Sequence, residues 1–399
     1  MKLKHFALLF LVIAFAGLNL SCCSPDGNAA NISFDKSLSR DLGNDGIKVW
    51  IHPRIARCLN GDLLVLMRYG TAHGGSNGAA VLRRSTDLGK TWSAQTTLFP
   101  SGASVGYGGG SLTVLPSGRI IHLFWTTDAD WQAINIKSQY SDDHGVTFSD
   151  NVTFTNPAGG PWDCWTLARC IVLNDNSLLA PYGKWNRATT VTETRVMRST
   201  DNGATWTDNS MVVTESEAGG YQHGWGECSI VRLDNNVLRL FMRSDKIGVG
   251  ETKWTNDNRW IYSSDSADEG VTWSAPVQRF KGCSHPCVYK MSDGRLFSIQ
   301  RKVFSGNWRG LPVVNISADE GITWLSTTEE LLLDTTITSD ITNAAKWIEV
   351  YSDWVEVSPG KLATVYGYQE NLGEGVTSVG VSRFKWVEID RPYNIGSFR

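Results

Sequence analysis

The chain is 399 residues long and 41% hydrophobic, enough apolar side chain for a sizeable core, which excludes a polypeptide disordered throughout. Its 37 basic and 40 acidic residues leave a net charge of −3. That gives neither the basic excess of a nucleic-acid binder nor a strongly acidic tail.

Residues 1–21 read as an export signal. Lys2 and Lys4 precede an apolar run from Phe6 to Leu18, followed by Ser21-Cys22. A basic start, about a dozen apolar residues and a small-residue exit define a secretory signal too short to span a bilayer. The stretch ending at Cys22 resembles the lipobox of bacterial lipoproteins, although Asn19 stands where an aliphatic residue is usual. The resemblance implies lipidation of Cys22 and an outer-membrane or periplasmic lipoprotein; without the anchor the product is secreted. Residues 22–45, with Pro25, Gly27, Asn28, Asn31 and Gly43-Asn44, are expected to form a tether, and residues 46–399 one domain. No other apolar stretch is long enough to span a bilayer.

Outside the cytosol disulfides can form. Cys58, Cys170 and Cys228 sit in strand-like apolar runs where a buried thiol is expected. Cys283/Cys287 and Cys164/Cys170 are the pairs that could bond, and sequence alone does not set connectivity. The spacing is not that of a zinc site, so no metal or cofactor is expected.

The body of the chain repeats with two interleaved signals. The pattern Ser-x-Asp-x-Gly-x-Thr-Trp occurs at Ser85–Trp92, Ser141–Phe148 (with Phe for Trp), Ser199–Trp206, Ser266–Trp273 and Ser317–Trp324. This is a self-capping turn: Ser and Asp oxygens accept backbone N–H groups, Gly adopts a left-handed conformation and the aromatic ring packs beneath. Between these turns lie strand–turn–strand hairpins centred on Gly61, Gly118, Asn176, Asn235-Asn236, Gly294 and Gly360. Short strand-like runs and almost no 3.6-residue periodicity point to an all-β fold. Six hairpins, each followed by a second pair of strands, predict a six-bladed β-propeller. Counting along each hairpin puts the Ser-x-Asp turns at one end, the bottom. The starts of first strands, ends of second strands and starts of third strands then lie at the top, where a ligand pocket is expected.

Five such turns on a six-bladed pattern make residues 46–390 resemble the sialidase (neuraminidase) superfamily. Its first-strand arginine motif is matched by His52-Pro53-Arg54-Ile55-Ala56, and its glutamate sixteen residues before a second arginine by Glu227 and Arg243. A third arginine is matched by Arg309, and the Tyr-Ser-Asp nucleophile motif by Tyr351-Ser352-Asp353. Hairpin counting agrees independently, since Arg54, Glu227 and Tyr351 precede their turns by seven to nine residues, Arg243 follows its turn by seven, and Arg309 begins a third strand. All five then reach the top.

The resemblance implies a glycosidase for a terminal carboxylated sugar, sialic acid or a related ulosonic acid. Three guanidinium groups can grip the sugar carboxylate through charge-assisted bonds. That carboxylate would repel an anionic nucleophile, so a tyrosine serves instead. Tyrosine has an ordinary pKa near 10, and Glu227 beside Tyr351 would take its proton. The expected partner is an acidic glycan, bound by a monomer, with no nucleic acid and no membrane contact beyond the lipid anchor.

The pattern breaks at one place. The family's acid/base aspartate falls on Gly74, in Tyr69-Gly70-Thr71-Ala72-His73-Gly74, and no acidic residue occurs between Asp62 and Asp87. The family's glutamate and further arginine nearby are also changed, here Arg68 and Gly70. Loss of a general acid typically costs about 10²–10⁴-fold in rate. Three accounts stay open. His73 donates the proton; or an acid comes from another loop, with Asp163, Asp128 and Asp130 as candidates; or the reaction differs. The last includes a uronate lyase using His73 and Tyr351, and a non-catalytic propeller that only binds acidic glycans.

Overall fold

In a computed structural model of the chain, the structure describes residues 32–43, 49–71, 75–130, 132–154, 162–186, 191–213, 227–245, 259–303, 310–326, 351–370 and 379–389. The strands among them form six antiparallel sheets. The first sheet is Val49–Arg57, Leu63–Gly70, Ala79–Ser85 and Thr96–Phe99, and the second Gly106–Val114, Ile120–Thr127, Ala133–Ser141 and Val152–Thr153. The third has an interrupted first strand, Trp162–Trp165 and Ile171–Val172, both paired to Leu178–Asn186, then Val191–Ser199 and Thr207–Val213. The fourth runs Cys228–Arg232, Leu238–Asp245, Arg259–Ser266 and Val277–Lys281; the fifth runs Cys283–Lys290, Leu296–Val303, Gly310–Ser317 and Leu325–Ser326. The sixth is Tyr351–Ser358, Lys361–Glu370 and Val379–Ile389, with Ile32–Gly43 as its outermost strand.

The first strand of each sheet lies innermost, and consecutive sheets pack through it, the first sheet meeting the sixth as well as the second. The chain is thus an all-β propeller. Its apolar core is divided accordingly. One cluster joins Trp50, Ile55 and Val65 to Val355, Val365 and Phe384, between the first and sixth sheets. Others join Leu64 and Leu66 to Tyr107 and Phe124, Ile121 and Leu123 to Leu178 and Tyr182, and Leu179 and Val196 to Ile230 and Leu240. Phe241 and Ile261 meet Val288, and Phe297 and Ile299 meet Trp354 and Val387. Each interface carries its own core, and the ring closes without a central one.

Residues 22–45 are not a tether throughout. Ile32–Gly43 pairs antiparallel with Val379–Ile389, from Ile32 opposite Ile389 to Gly43 opposite Ser382, with register shifts between Asp35 and Arg40 and between Asp41 and Gly43. The sixth hairpin lacks a Ser-x-Asp turn, and among the described residues it is the N-terminal strand that covers the outer edge of this sheet. No disulfide links the described cysteines: Cys58, Cys164, Cys170, Cys228, Cys283 and Cys287 are all buried thiols. Cys283 and Cys287 lie four apart on one strand, where a rise of about 3.3 Å per residue separates them beyond disulfide reach.

The Ser-x-Asp turns fold as their residues dictate. In the third, Ser199 Oγ donates to Asp201 Oδ1 and accepts Gly203 N–H, while Thr205 N–H and Oγ1–H donate to the two Asp201 oxygens. Trp206 Nε1 closes onto Gly203 O at 3.2 Å. Two successive residues are left-handed, Asn202 at φ 57° and Gly203 at φ 84°. The glycine is needed twice over, because a Cβ there would meet Ile121 Cδ1 of the preceding sheet at 2.4 Å. Arginines of the preceding sheets grip these turns: Arg84 donates to His144 O, Arg198 to Glu269 O and Arg239 to Glu320 O, at 2.6–2.7 Å. The repeat therefore clamps sheet to sheet as well as capping itself.

Candidate functional site

At the opposite end of the ring, two innermost strands carry the same local irregularity. His52 and His285 both precede proline, both lie nine residues before a hairpin glycine, and both are left-handed, at φ 54° and φ 56°. The strand register shifts at each, between Ile51 and Arg54 and between Ser284 and Cys287. A bulge of this kind re-aims a side chain, and a left-handed residue of this type persists only where its surroundings hold it.

The two imidazoles close on Tyr351, the first residue of the sixth sheet. His52 stands edge-on at 4.1 Å between ring centres and His285 at 4.4 Å. Arg301 brings its guanidinium within 5.6 Å of the same phenol ring. The Tyr351 hydroxyl donates to Glu227 Oε1 at 3.1 Å, and Arg243 Nη1 donates to that same oxygen at 2.8 Å. All of these side chains are buried, Glu227 at 8% and Tyr351 at 7% exposure. Burial alone would raise the Glu227 pKa, but the Arg243 and Arg301 guanidinium groups hold it well below the ordinary carboxylate range. Glu227 is thus a fixed anion that orients the phenol O–H.

Tyr351, Glu227 and Arg243 therefore meet as the spacing predicted. Arg54 lies beneath them and is only 2% exposed. Its Nε donates to Gly110 O, its Nη1 to Pro53 O and Ser352 O, and its Nη2 to His285 Nε2 at 3.0 Å. Those bonds make it a brace for the strands around Tyr351. His73, Arg309 and Cys22 fall outside the described residues. Asp163 is described only as part of Trp162–Trp165. Asp128 Oδ1 caps its own turn, accepting Asp130 N–H and Gln132 N–H.

Sequence reasoning passed over His285, Arg301 and an ion pair whose carboxylate is buried. Arg169 Nη2 donates to Asp353 Oδ2 at 2.8 Å, and its guanidinium lies 4.2 Å from the Tyr289 ring centre. The repeated His-Pro dipeptide was a readable sign of His285. Another was the placement of Arg68, Arg243 and Arg301, each seven residues after its hairpin turn. Arg68 is fully buried and donates to Tyr107 O, Gly75 O and Asn77 Oδ1, pinning the end of the loop that follows its strand. Burial lowers its pKa to about 10. Among the described residues no group of three His, Cys, Asp or Glu could hold a metal ion, and no helix is long and apolar enough to cross a membrane.

Two histidines make acid stability testable. Burial pushes His122 down to about 3; burial, then Arg54, do the same for His285. Their folded values lie below the unfolded value near 6.5, so between the two the unfolded chain binds the extra proton. Stability is full above about pH 6.5 and falls toward pH 3, by about 1.4 kcal/mol per pH unit for each histidine. Urea midpoints measured from pH 7 to pH 4.5 should show this slope, and His122→Phe should reduce it by one proton's worth; an unchanged slope would remove His122 from the account.

Residues 108–280 match the family model described as a BNR repeat-like domain. No curated protein sequence matches the chain. Among solved structures, a protein of unknown function from Dyadobacter fermentans superposes with a TM-score of 0.69 at 15% identity, over 90% of this chain and 100% of that one. A Hadza microbial sialidase gives 0.62 at 16% identity, over 85% of this chain and 66% of that one. The fold is the sialidase-type β-propeller. An α-L-arabinofuranosidase of Fusarium graminearum, solved with arabinobiose, shares it at a TM-score of 0.55 and 13% identity, over 87% of this chain and 98% of that one. Glycosidases of different substrate therefore have this fold, and the choice among them rests on the site.

Proposed function

We propose that the protein is an exported, exo-acting glycoside hydrolase that releases a terminal carboxylated sugar, with Tyr351 as nucleophile. In this reading each of the six sheets is one blade of a six-bladed propeller. The observation that carries it is the buried Tyr351–Glu227–Arg243 arrangement, a phenol whose O–H is held by a carboxylate that a guanidinium keeps ionised. Attack by Tyr351 on the anomeric carbon, its phenol proton passing to Glu227, would form a glycosyl-enzyme and expel the leaving alcohol, which takes a proton; water then attacks the same carbon, returning a proton to that donor and releasing the sugar, while the Tyr351 oxygen takes its proton back from Glu227. His73 is the proposed donor of the leaving alcohol's proton, and Arg243 and Arg309 the proposed grip on the sugar carboxylate. Arg54 would act chiefly through the strands it braces. Residues 1–21 are the proposed signal and Cys22 the anchor to an outer or periplasmic membrane; fatty-acid labelling that Cys22→Ser leaves intact would remove the anchor.

The test is turnover of an aryl sialoside by purified protein. Arg243→Ala should weaken binding of a carboxylated sugar by about 10²-fold while changing that of a neutral sugar by less than about threefold. Equal losses would sink the carboxylate grip. A second reading, a lyase acting on uronate-containing glycans, draws on the two imidazoles against Tyr351. It requires an unsaturated product that absorbs in the ultraviolet, which hydrolysis does not give. A propeller that only binds acidic glycans would show affinity and no product.

A further inference from the structure

Two polar atoms beside Tyr351 are buried and have no hydrogen-bond partner among the described residues, Glu227 Oε2 and His285 Nδ1. The chemistry of each is fixed by its neighbours. A guanidinium can only donate, so at 3.0 Å from Arg54 Nη2 the Nε2 of His285 must accept, and the ring proton resides on Nδ1. Burial, with Arg54, Arg301 and Arg243 against the opposing pull of Glu227, keeps the ring neutral. Glu227 is ionised and only accepts. A donor and an acceptor thus flank the same phenol, in side chains 3% and 8% exposed. Leaving both unmet is costly, and most of all for the charged oxygen.

One small group reaching both atoms would satisfy them, an O–H whose hydrogen goes to the carboxylate and whose lone pair receives the imidazole N–H. We propose that Glu227 Oε2 and His285 Nδ1 form a hydroxyl-binding subsite against Tyr351, filled by a sugar hydroxyl in the complex and by one water in the free protein. His285 is then a positioning residue, aimed by Arg54. The inference rests on the glycosidase reading only for the owner of the hydroxyl.

A crystal structure of the unliganded protein should show one oxygen within about 3.2 Å of both atoms. Calorimetry with N-acetylneuraminic acid and its singly deoxygenated analogues should find one analogue weakened about tenfold or more. His285→Phe, which keeps a ring against Tyr351, should bind the parent sugar and that analogue equally. An oxygen that stays in place in the sugar complex, with every analogue binding like the parent, overturns the sugar-hydroxyl assignment. Empty density between the two atoms, or folded His285→Phe with unchanged affinity and selectivity, overturns it. Should His285→Phe not fold, the density decides alone. A failed glycosidase reading would show separately, as lack of turnover with the oxygen still present.

Discussion

Tyr351→Phe is expected to cut turnover of an aryl sialoside by at least about 10³-fold, the scale on which removal of a nucleophile acts. The substitution is a clean one. Phenylalanine keeps the ring between His52 and His285 and under Arg301, and removes only the hydroxyl that donates to Glu227 Oε1. Arg243 still donates to that carboxylate oxygen, so the buried charge retains its partner. Thermal stability should change little and sugar binding should survive. Mass spectrometry of rapidly quenched reactions should detect a glycosyl adduct on the wild type and none on the variant. Full turnover by Tyr351→Phe would remove the nucleophile assignment, while loss of activity through unfolding would show in the melting curve.

The second large effect belongs to Arg169 and Asp353. Asp353 Oδ2 accepts Ile55 N–H as well as Arg169, and Cys287 Sγ lies 3.4 Å from Oδ1. Arg169 also donates to Ile55 O and Trp354 O. Four sheets, the first, third, fifth and sixth, are thus tied by one carboxylate and one guanidinium. The Asp353 side chain is 1% exposed and that of Arg169 17%, so removing either partner leaves a largely buried charge without its counterion, which typically costs about 3–5 kcal/mol. Arg169→Met or Asp353→Ala should lose that much in guanidinium unfolding, whereas the joint change Arg169→Met with Asp353→Leu should recover part of it. A loss below about 1 kcal/mol for either single variant would show that the tie carries little stability. Because Asp353 sits two residues after Tyr351, its loss should also lower kcat.

Much of this was legible in the sequence, for a physical reason. The Ser-x-Asp turns are closed by bonds within eight residues, so Ser199, Asp201, Gly203 and Thr205 announce themselves without tertiary context. Distances counted from hairpin turns placed Tyr351, Glu227 and Arg243 at one end because a strand advances by a fixed rise. What stayed hidden depended on partners distant in the chain. Ile32–Gly43 reads as loop from Gly, Asn and Pro around it, and only Val379–Ile389 makes it a strand. Arg54 reads as a ligand-gripping arginine until Gly110 O, Ser352 O and His285 claim its donors. His285 carried a sign, the second His-Pro, that becomes meaningful only once both rings are seen to meet on one tyrosine.

The register of the N-terminal strand fixes which way the domain would look from a surface. Ile32 pairs with Ile389, next to Gly360 at the hairpin end of the sixth sheet, whereas Gly43 pairs with Ser382, nearer the end that holds Tyr351. Whatever precedes Ile32 therefore leaves the ring on the side of the Ser-x-Asp turns. A chain held at Cys22 has ten residues to spend before that strand, about 35 Å at full stretch. On so short a leash the turns would rest toward the bilayer, and the end of the ring that holds Tyr351 would face outward, toward glycans arriving from solution.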